Sequence, residues 1–155
     1  RIKLPRQLDM QLTGKRHPAN GFEAKASVHH WLAVAISRGT ATLQDASEER
    51  VNDPKISALR DRIIATTDET IASDEMKLTF IMKSGEQHAI HIEHAIGSLE
   101  RPMTSEQIRQ KFMAQAAPVI GPDASCRFAD ACDDRLQGAA LILAIQELMR
   151  PDPTR

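Results

Sequence analysis

The stretch Met76-Lys77-Leu78-Thr79-Phe80-Ile81-Met82-Lys83-Ser84-Gly85-Glu86-Gln87-His88-Ala89-Ile90-His91-Ile92 decides the fold. Met76, Leu78, Phe80 and Met82 alternate with Lys77, Thr79 and Lys83, the period-two pattern of a strand that buries one face. Ser84 and Gly85 supply a turn, after which the run resumes through His88, Ile90 and Ile92. Two such runs joined so closely form a β-hairpin. Upstream, Ile2, Leu4, Leu8, Met10 and Leu12 occupy even positions and predict a strand over 2–12. Pro5 has no N–H to give to a ladder, so that strand is expected at a sheet edge.

The remaining segments read as helix and loop. Gly14 to Gly21 is a loop, and Asn20 with Glu23 forms a capping box that opens a helix stopped by Gly39. Val28, Trp31, Leu32, Ala35 and Ile36 make its apolar face. The opposite face of Ala26, His30, Ala33 and Ser37 is rich in small residues, which predicts burial on both sides. Asn52 or Asp53, followed by Pro54 at the first helical position, starts a helix through Arg62 with Ile56 and Leu59 facing inward. Residues 63–67 are a candidate strand. Thr104 and Gln107 cap a helix whose inner face carries Ile108, Phe112 and Ala116, and further helices are expected over 122–134 and 136–149. Strands and helices do not alternate regularly, so the expected class is α+β, with a small, mostly antiparallel sheet, packed helices, and C-terminal helices after it. The expected division is an α+β domain over 1–103, helices over 104–150 and a tail over 151–155.

The 155 residues carry 20 Lys plus Arg against 21 Asp plus Glu, so no overall charge draws the chain to nucleic acid or anionic membrane. Aromatic residues make up only 3%, with one Trp and no Tyr, which leaves few stacking platforms for single strands. Trp31 to Ser37 is the longest uncharged apolar stretch and is far below the roughly 20 residues a bilayer span needs. Cys126 and Cys132 match no zinc spacing and read as reduced thiols, which fits a cytoplasmic location. Arg1 opens the chain inside a strand-like pattern without an initiator Met, which predicts a piece of a longer protein.

Rossmann, P-loop, G-x-S-x-G and H-E-x-x-H patterns do not occur in the sequence. His88, His91 and His94 lie three apart, but on a strand His91 points away from the other two, so they are not expected to share a metal ion. Lys15, Arg16 and His17 form a basic loop, either simply solvated or in contact with an anion. The segment from Gly21 to His30 is the better candidate. Its polar groups open a very apolar helix, where free N–H groups and the helix dipole favour an anion and Lys25 adds charge. His30 can hold or release a proton near neutral pH, and Ser27 lies three residues before it on the same face. The same residues also admit a purely structural reading, in which Ser27 caps the helix and His30 is a hydrogen-bonded core residue.

Pro18-Ala19-Asn20-Gly21-Phe22-Glu23-Ala24-Lys25-Ala26-Ser27, then Trp31-Leu32-Ala33-Val34-Ala35 and Gly39, resembles the P-x-x-G-x-E-A-K-F-S and A-x-A-L-x-x-G stretch of the MmgE/PrpD family. That family includes 2-methylcitrate dehydratase, cis-aconitate decarboxylase and iminodisuccinate epimerase. The resemblance continues through Val51-Asn52-Asp53-Pro54, Gly85, Gly97, Arg101-Pro102-Met103-Thr104 and Lys111-Phe112. It implies the lid domain and C-terminal helices of a larger, homodimeric lyase or isomerase. Such an enzyme abstracts a proton from a small polycarboxylic acid without a cofactor or metal, and its upstream helical domain supplies most acid and base groups. It further implies substrate binding by Lys25 and Ser27 and a catalytic role for His30, which stands where several members have a tyrosine. Ala26 replaces a common aromatic or histidine. The alternative is a non-catalytic α+β ligand-binding or interaction module that has kept the fold.

Overall fold

The hairpin organises a four-stranded sheet. In the computed structural model, which describes residues 1–5, 15–133, 142, 143, 145 and 146, the strands are β1 Ile2–Leu4, β2 Ala65–Thr67, β3 Met76–Ile81 and β4 Gln87–Ile92. Their order is β2-β1-β3-β4. β1 runs parallel to β2, pairing Ile2 with Ala65, and antiparallel to β3, pairing Ile2 with Leu78. β3 and β4 pair antiparallel from Met76–Ile92 to Ile81–Gln87, around a turn in which Gly85 takes φ 88°. The fold is α+β and its sheet is mostly antiparallel.

The helices are α1 Gly21–Lys25, α2 Val28–Arg38, α3 Glu48–Val51, α4 Pro54–Arg62, α5 Ser105–Ile120 and α6 Pro122–Asp133, with a 3-10 turn at Leu43–Ala46. The chain divides into two compact units, Arg1–Pro102 and Met103–Arg155. In the first unit Ile2 and Leu4 of β1 are each 1% exposed and pack with Ala33, Val34, Ile56, Ile63 and Leu78. Full burial of a Leu or Ile side chain contributes about 1.5–3 kcal/mol, so this cluster is the main source of stability. A smaller cluster of Ala24, Ala46 and Val51 is covered by Trp31. In the second unit α5 buries no residue fully, and its inner face closes on α6 through stacked Phe112 and Phe128 rings 5.6 Å apart.

Several details depart from the sequence reading. β1 lies inside the sheet, not at its edge, because Pro5 falls just after the last paired residue and no ladder hydrogen bond is lost. The part of that strand expected over 6–12 lies outside the described residues, as does most of the helix expected over 136–149. The single helix expected from Asn20 to Gly39 is two, broken at Ala26 and Ser27. The most buried positions of α2 are His29, His30, Ala33 and Val34, whereas Ile36 is 44% exposed. β4 is one of the two outer strands, and Ile90, expected on a buried face, is 47% exposed. Ile108, expected on the inner face of α5, is also exposed.

Gly21 marks the closest approach of two segments. A Cβ at this position would run into the carbonyl of Ala46, which is backbone and cannot swing aside. Gly21→Ala should therefore lower thermal stability by about 1–3 kcal/mol, the usual cost of overpacking. Thermal unfolding followed by circular dichroism checks this, and melting at the wild-type temperature would contradict the close approach of α1 to the 3-10 turn.

Candidate functional site

Sequence places the break between α1 and α2 by supplying a cap for each helix. The Asn20 side chain accepts a hydrogen bond from the Glu23 N–H at 2.9 Å, and Glu23 Oε2 accepts one from the Ala19 N–H at 2.9 Å. Ser27 opens α2. Its Oγ accepts from the His30 N–H at 3.1 Å, and its hydroxyl donates to the Lys15 carbonyl. Ser27 is wholly buried, whereas Lys25, the last residue of α1, is exposed. The Trp31 indole N–H donates to the Lys25 carbonyl at 3.0 Å and fixes the backbone from which that lysine projects.

His30 is also wholly buried, and both ring nitrogens are engaged. Nε2 lies 2.8 Å from the Asp45 carbonyl and Nδ1 lies 3.3 Å from Nη1 of Arg60. Burial pushes its pKa below the ordinary histidine value; the Asp45 carbonyl opposes that fall, and the cations of Arg60 and Arg50 add to it. The imidazole is therefore neutral at pH 7. To exchange a proton with a ligand, it must give up one of these contacts.

Asp45 is fixed by its own carboxylate, which accepts from the Thr42 N–H at 2.9 Å and the Thr42 hydroxyl at 3.0 Å. Arg38 and Arg50 each approach it at 3.5 Å. Burial alone would raise its pKa, but the Thr42 hydrogen bonds and the two arginines hold it below the ordinary value. Arg60 Nη2 donates to the Val51 carbonyl at 2.8 Å. The result is a buried polar chain from α2 to the 3-10 turn, α3 and α4.

His29 is 3% exposed, and its Nδ1 has no hydrogen-bond partner among the described residues. Burial and then the charges of Arg16 and His17 lower its pKa. The basic loop is tethered within the molecule: Lys15 pairs with Glu23 at 3.2 Å, Arg16 donates to the Asp61 carbonyl at 2.8 Å, and His17 lies 3.6 Å from the Asp61 carboxylate. His88, His91 and His94 each face a different acid, Glu86, Glu75 and Asp74. No group of three His, Cys, Asp or Glu side chains suited to a metal forms among the described residues. Cys126 and Cys132 are free and exposed. Among the described residues no helix is long and apolar enough to cross a membrane.

Of the residues singled out in the sequence, Ser27 and His30 come together only through the His30 N–H donating to the Ser27 hydroxyl oxygen, and Lys25 stands on the other side of the helix break. Asp45 and Arg60 escaped that reading, although each leaves a trace. Thr42-Leu43-Gln44-Asp45 has capping-box spacing, and Arg60 lies four residues after Ile56, on the inward stripe of its helix.

Residues 2–135 match the family model of the MmgE/PrpD C-terminal domain. No curated protein matches the chain.

The two buried histidines make stability depend on pH in a definite direction. Their folded pKa values lie below the unfolded value of about 6.5, so as the pH falls below that point the unfolded chain binds more protons and stability declines. His94, whose pKa is raised by its bond to Asp74, works oppositely: its contribution is complete below about 6.5 and is lost as the pH rises through its folded pKa. The urea midpoint of the wild type should fall between about pH 7.5 and pH 5.5 more steeply than that of His30→Gln, which has no imidazole to protonate at that site. Parallel curves would show that His30 does not titrate differently on folding.

Proposed function

Because this chain belongs to the MmgE/PrpD family as a C-terminal domain, we propose that it completes the active site of a lyase or isomerase acting on small polycarboxylic acids. The reaction class is abstraction of a proton beside a carboxylate, followed by elimination, decarboxylation or inversion, with no cofactor. Such chemistry needs a base of tuned pKa and cations or N–H groups that hold the carboxylates as enolate-like charge develops. The observation that carries the reading is that the family match runs through the helix break, where an exposed Lys25 projects from a backbone locked by Trp31.

In this reading Lys25 binds a substrate carboxylate and Ser27 shapes the pocket by capping α2. His30 serves the reacting centre as a neutral hydrogen-bonding group, once its contact to the Asp45 carbonyl is exchanged for one to the substrate. The main base lies in a preceding helical domain, against which the exposed apolar residues Ile108, Val119 and Ile120 of the second unit support docking. The whole protein is proposed to be a cytoplasmic homodimer, and the two free thiols support a reducing compartment. A non-catalytic module is the competing reading, favoured by the complete burial of His30.

The test uses the complete polypeptide, including all sequence upstream of Arg1, with 2-methylcitrate, cis-aconitate and iminodisuccinate as probes. Lys25→Ala should raise KM roughly 10- to 100-fold with kcat little changed, as expected for loss of a charge-assisted contact of about 1.5–3 kcal/mol. His30→Gln should lower kcat about 100-fold if the imidazole acts at the reacting centre. Unaltered kinetics in both variants would remove the site assignment, and absence of turnover with all three acids would favour the module.

A further inference from the structure

Arg60 lies on α4 and is 5% exposed. Its guanidinium is spent on neutral partners, the imidazole Nδ1 of His30 at 3.3 Å and the Val51 carbonyl at 2.8 Å, and its Nε has no partner among the described residues. Taking a cation out of water is costly, and a carboxylate partner would offset that cost better than an imidazole does. Placing this cation against a histidine therefore has a consequence for the histidine.

Arginine is always protonated and can only donate, so Nδ1 of His30 must accept. The Asp45 carbonyl can only accept, so Nε2 must donate. Both neighbours demand the same state of the ring, a neutral imidazole with its hydrogen on Nε2. A second proton on Nδ1 would set N–H against N–H beside a buried positive charge.

We propose that Arg60 is a positioning residue that denies His30 a second proton and so keeps it a hydrogen-bond donor through Nε2. The charged groups facing the ring are Arg60 from α4, Asp45 from the 3-10 turn and Arg50 from α3, and Arg38 of α2 shares the Asp45 carboxylate with Arg50. The tautomer and charge assignment stands on these contacts. Its relevance to catalysis rests on the proposed role of His30.

Nitrogen-15 NMR of histidine-labelled protein, titrated from neutral to acid pH, tests the assignment. The wild-type His30 ring should carry its hydrogen on Nε2 and stay neutral to a pH below the ordinary histidine value of about 6.5. In Arg60→Met the titration midpoint of His30 should move upward, and Arg60→Lys, which keeps a cationic donor on the same helix face, should restore part of the wild-type behaviour. A His30 midpoint unmoved in Arg60→Met overturns the proposal. So does a wild-type ring that is charged, or protonated on Nδ1, at neutral pH, a measurement that needs no variant to fold. In the complete enzyme the pH profile of kcat separates the two readings. If the NMR midpoint rises in Arg60→Met but the profile stays in place, Arg60 controls His30 as proposed, and His30 does not serve the reaction.

Discussion

A fully buried imidazole with an unanswered nitrogen costs about 1–3 kcal/mol, so burying His30 obliges other segments to stand where they do. The 3-10 turn must present the Asp45 carbonyl to Nε2, and α4 must bring Arg60 to Nδ1. Arg60 in turn reaches the last carbonyl of α3 at Val51, so three short elements are registered on one ring. Asp45 contributes twice. Its carboxylate ties the turn to Thr42, Arg38 and Arg50, and the turn so stiffened holds the carbonyl that the imidazole uses.

Apolar packing and polar registration are divided between different parts of the first unit. Ile2, Leu4, Val34 and Ile56 join the sheet to α2 and α4 without directional bonds. Around the helix break the apolar cluster is only Ala24, Ala46 and Val51 under Trp31, too little area to fix geometry alone. There the capping bonds of Asn20 and Ser27 and the close passage of Gly21 beneath Ala46 set the positions. Substitutions in the sheet core act mainly on stability, whereas those near the break alter where Lys25 and His30 are held.

The parts of this architecture legible in the sequence are those written in local periodicity. The hairpin, the caps at Asn20, Asp53 and Thr104, and the stop at Gly39 each depend on a few neighbouring residues, and the structure has all of them. The break at Ser27 was legible only in the structural reading, in which Ser27 caps a helix, and not in the apolar periodicity that predicts one helix from Asn20 to Gly39. Apolar residues continue at helical spacing across it, and only the competition of the Ser27 side chain for the His30 N–H ends one helix and begins the next. The position of β1 in the sheet was obscured because Pro5 lies one residue beyond the paired segment. Asp45 and Arg60 depend on contacts 15 and 30 residues from His30 in sequence. Periodicity says that Arg60 faces inward, but not what makes its burial tolerable.

For proton abstraction beside a carboxylate, the proposed site divides its labour by dielectric environment. Lys25 is solvated in this chain, where water screens its charge and a carboxylate contact is weak. The same lysine becomes a strong anchor only if surrounding surface excludes water, which in the proposed enzyme falls to the preceding domain and the substrate itself. His30 is in the opposite condition, already dry and neutral, with its hydrogen committed to Nε2 by two neighbours. Once it exchanges the Asp45 carbonyl for a developing negative charge, a dry neutral imidazole stabilises that charge by donating the Nε2 hydrogen bond, without first losing a proton. The cost is that it is a poor proton reservoir. This is consistent with a chain that orients and polarises while the principal base comes from elsewhere in the polypeptide.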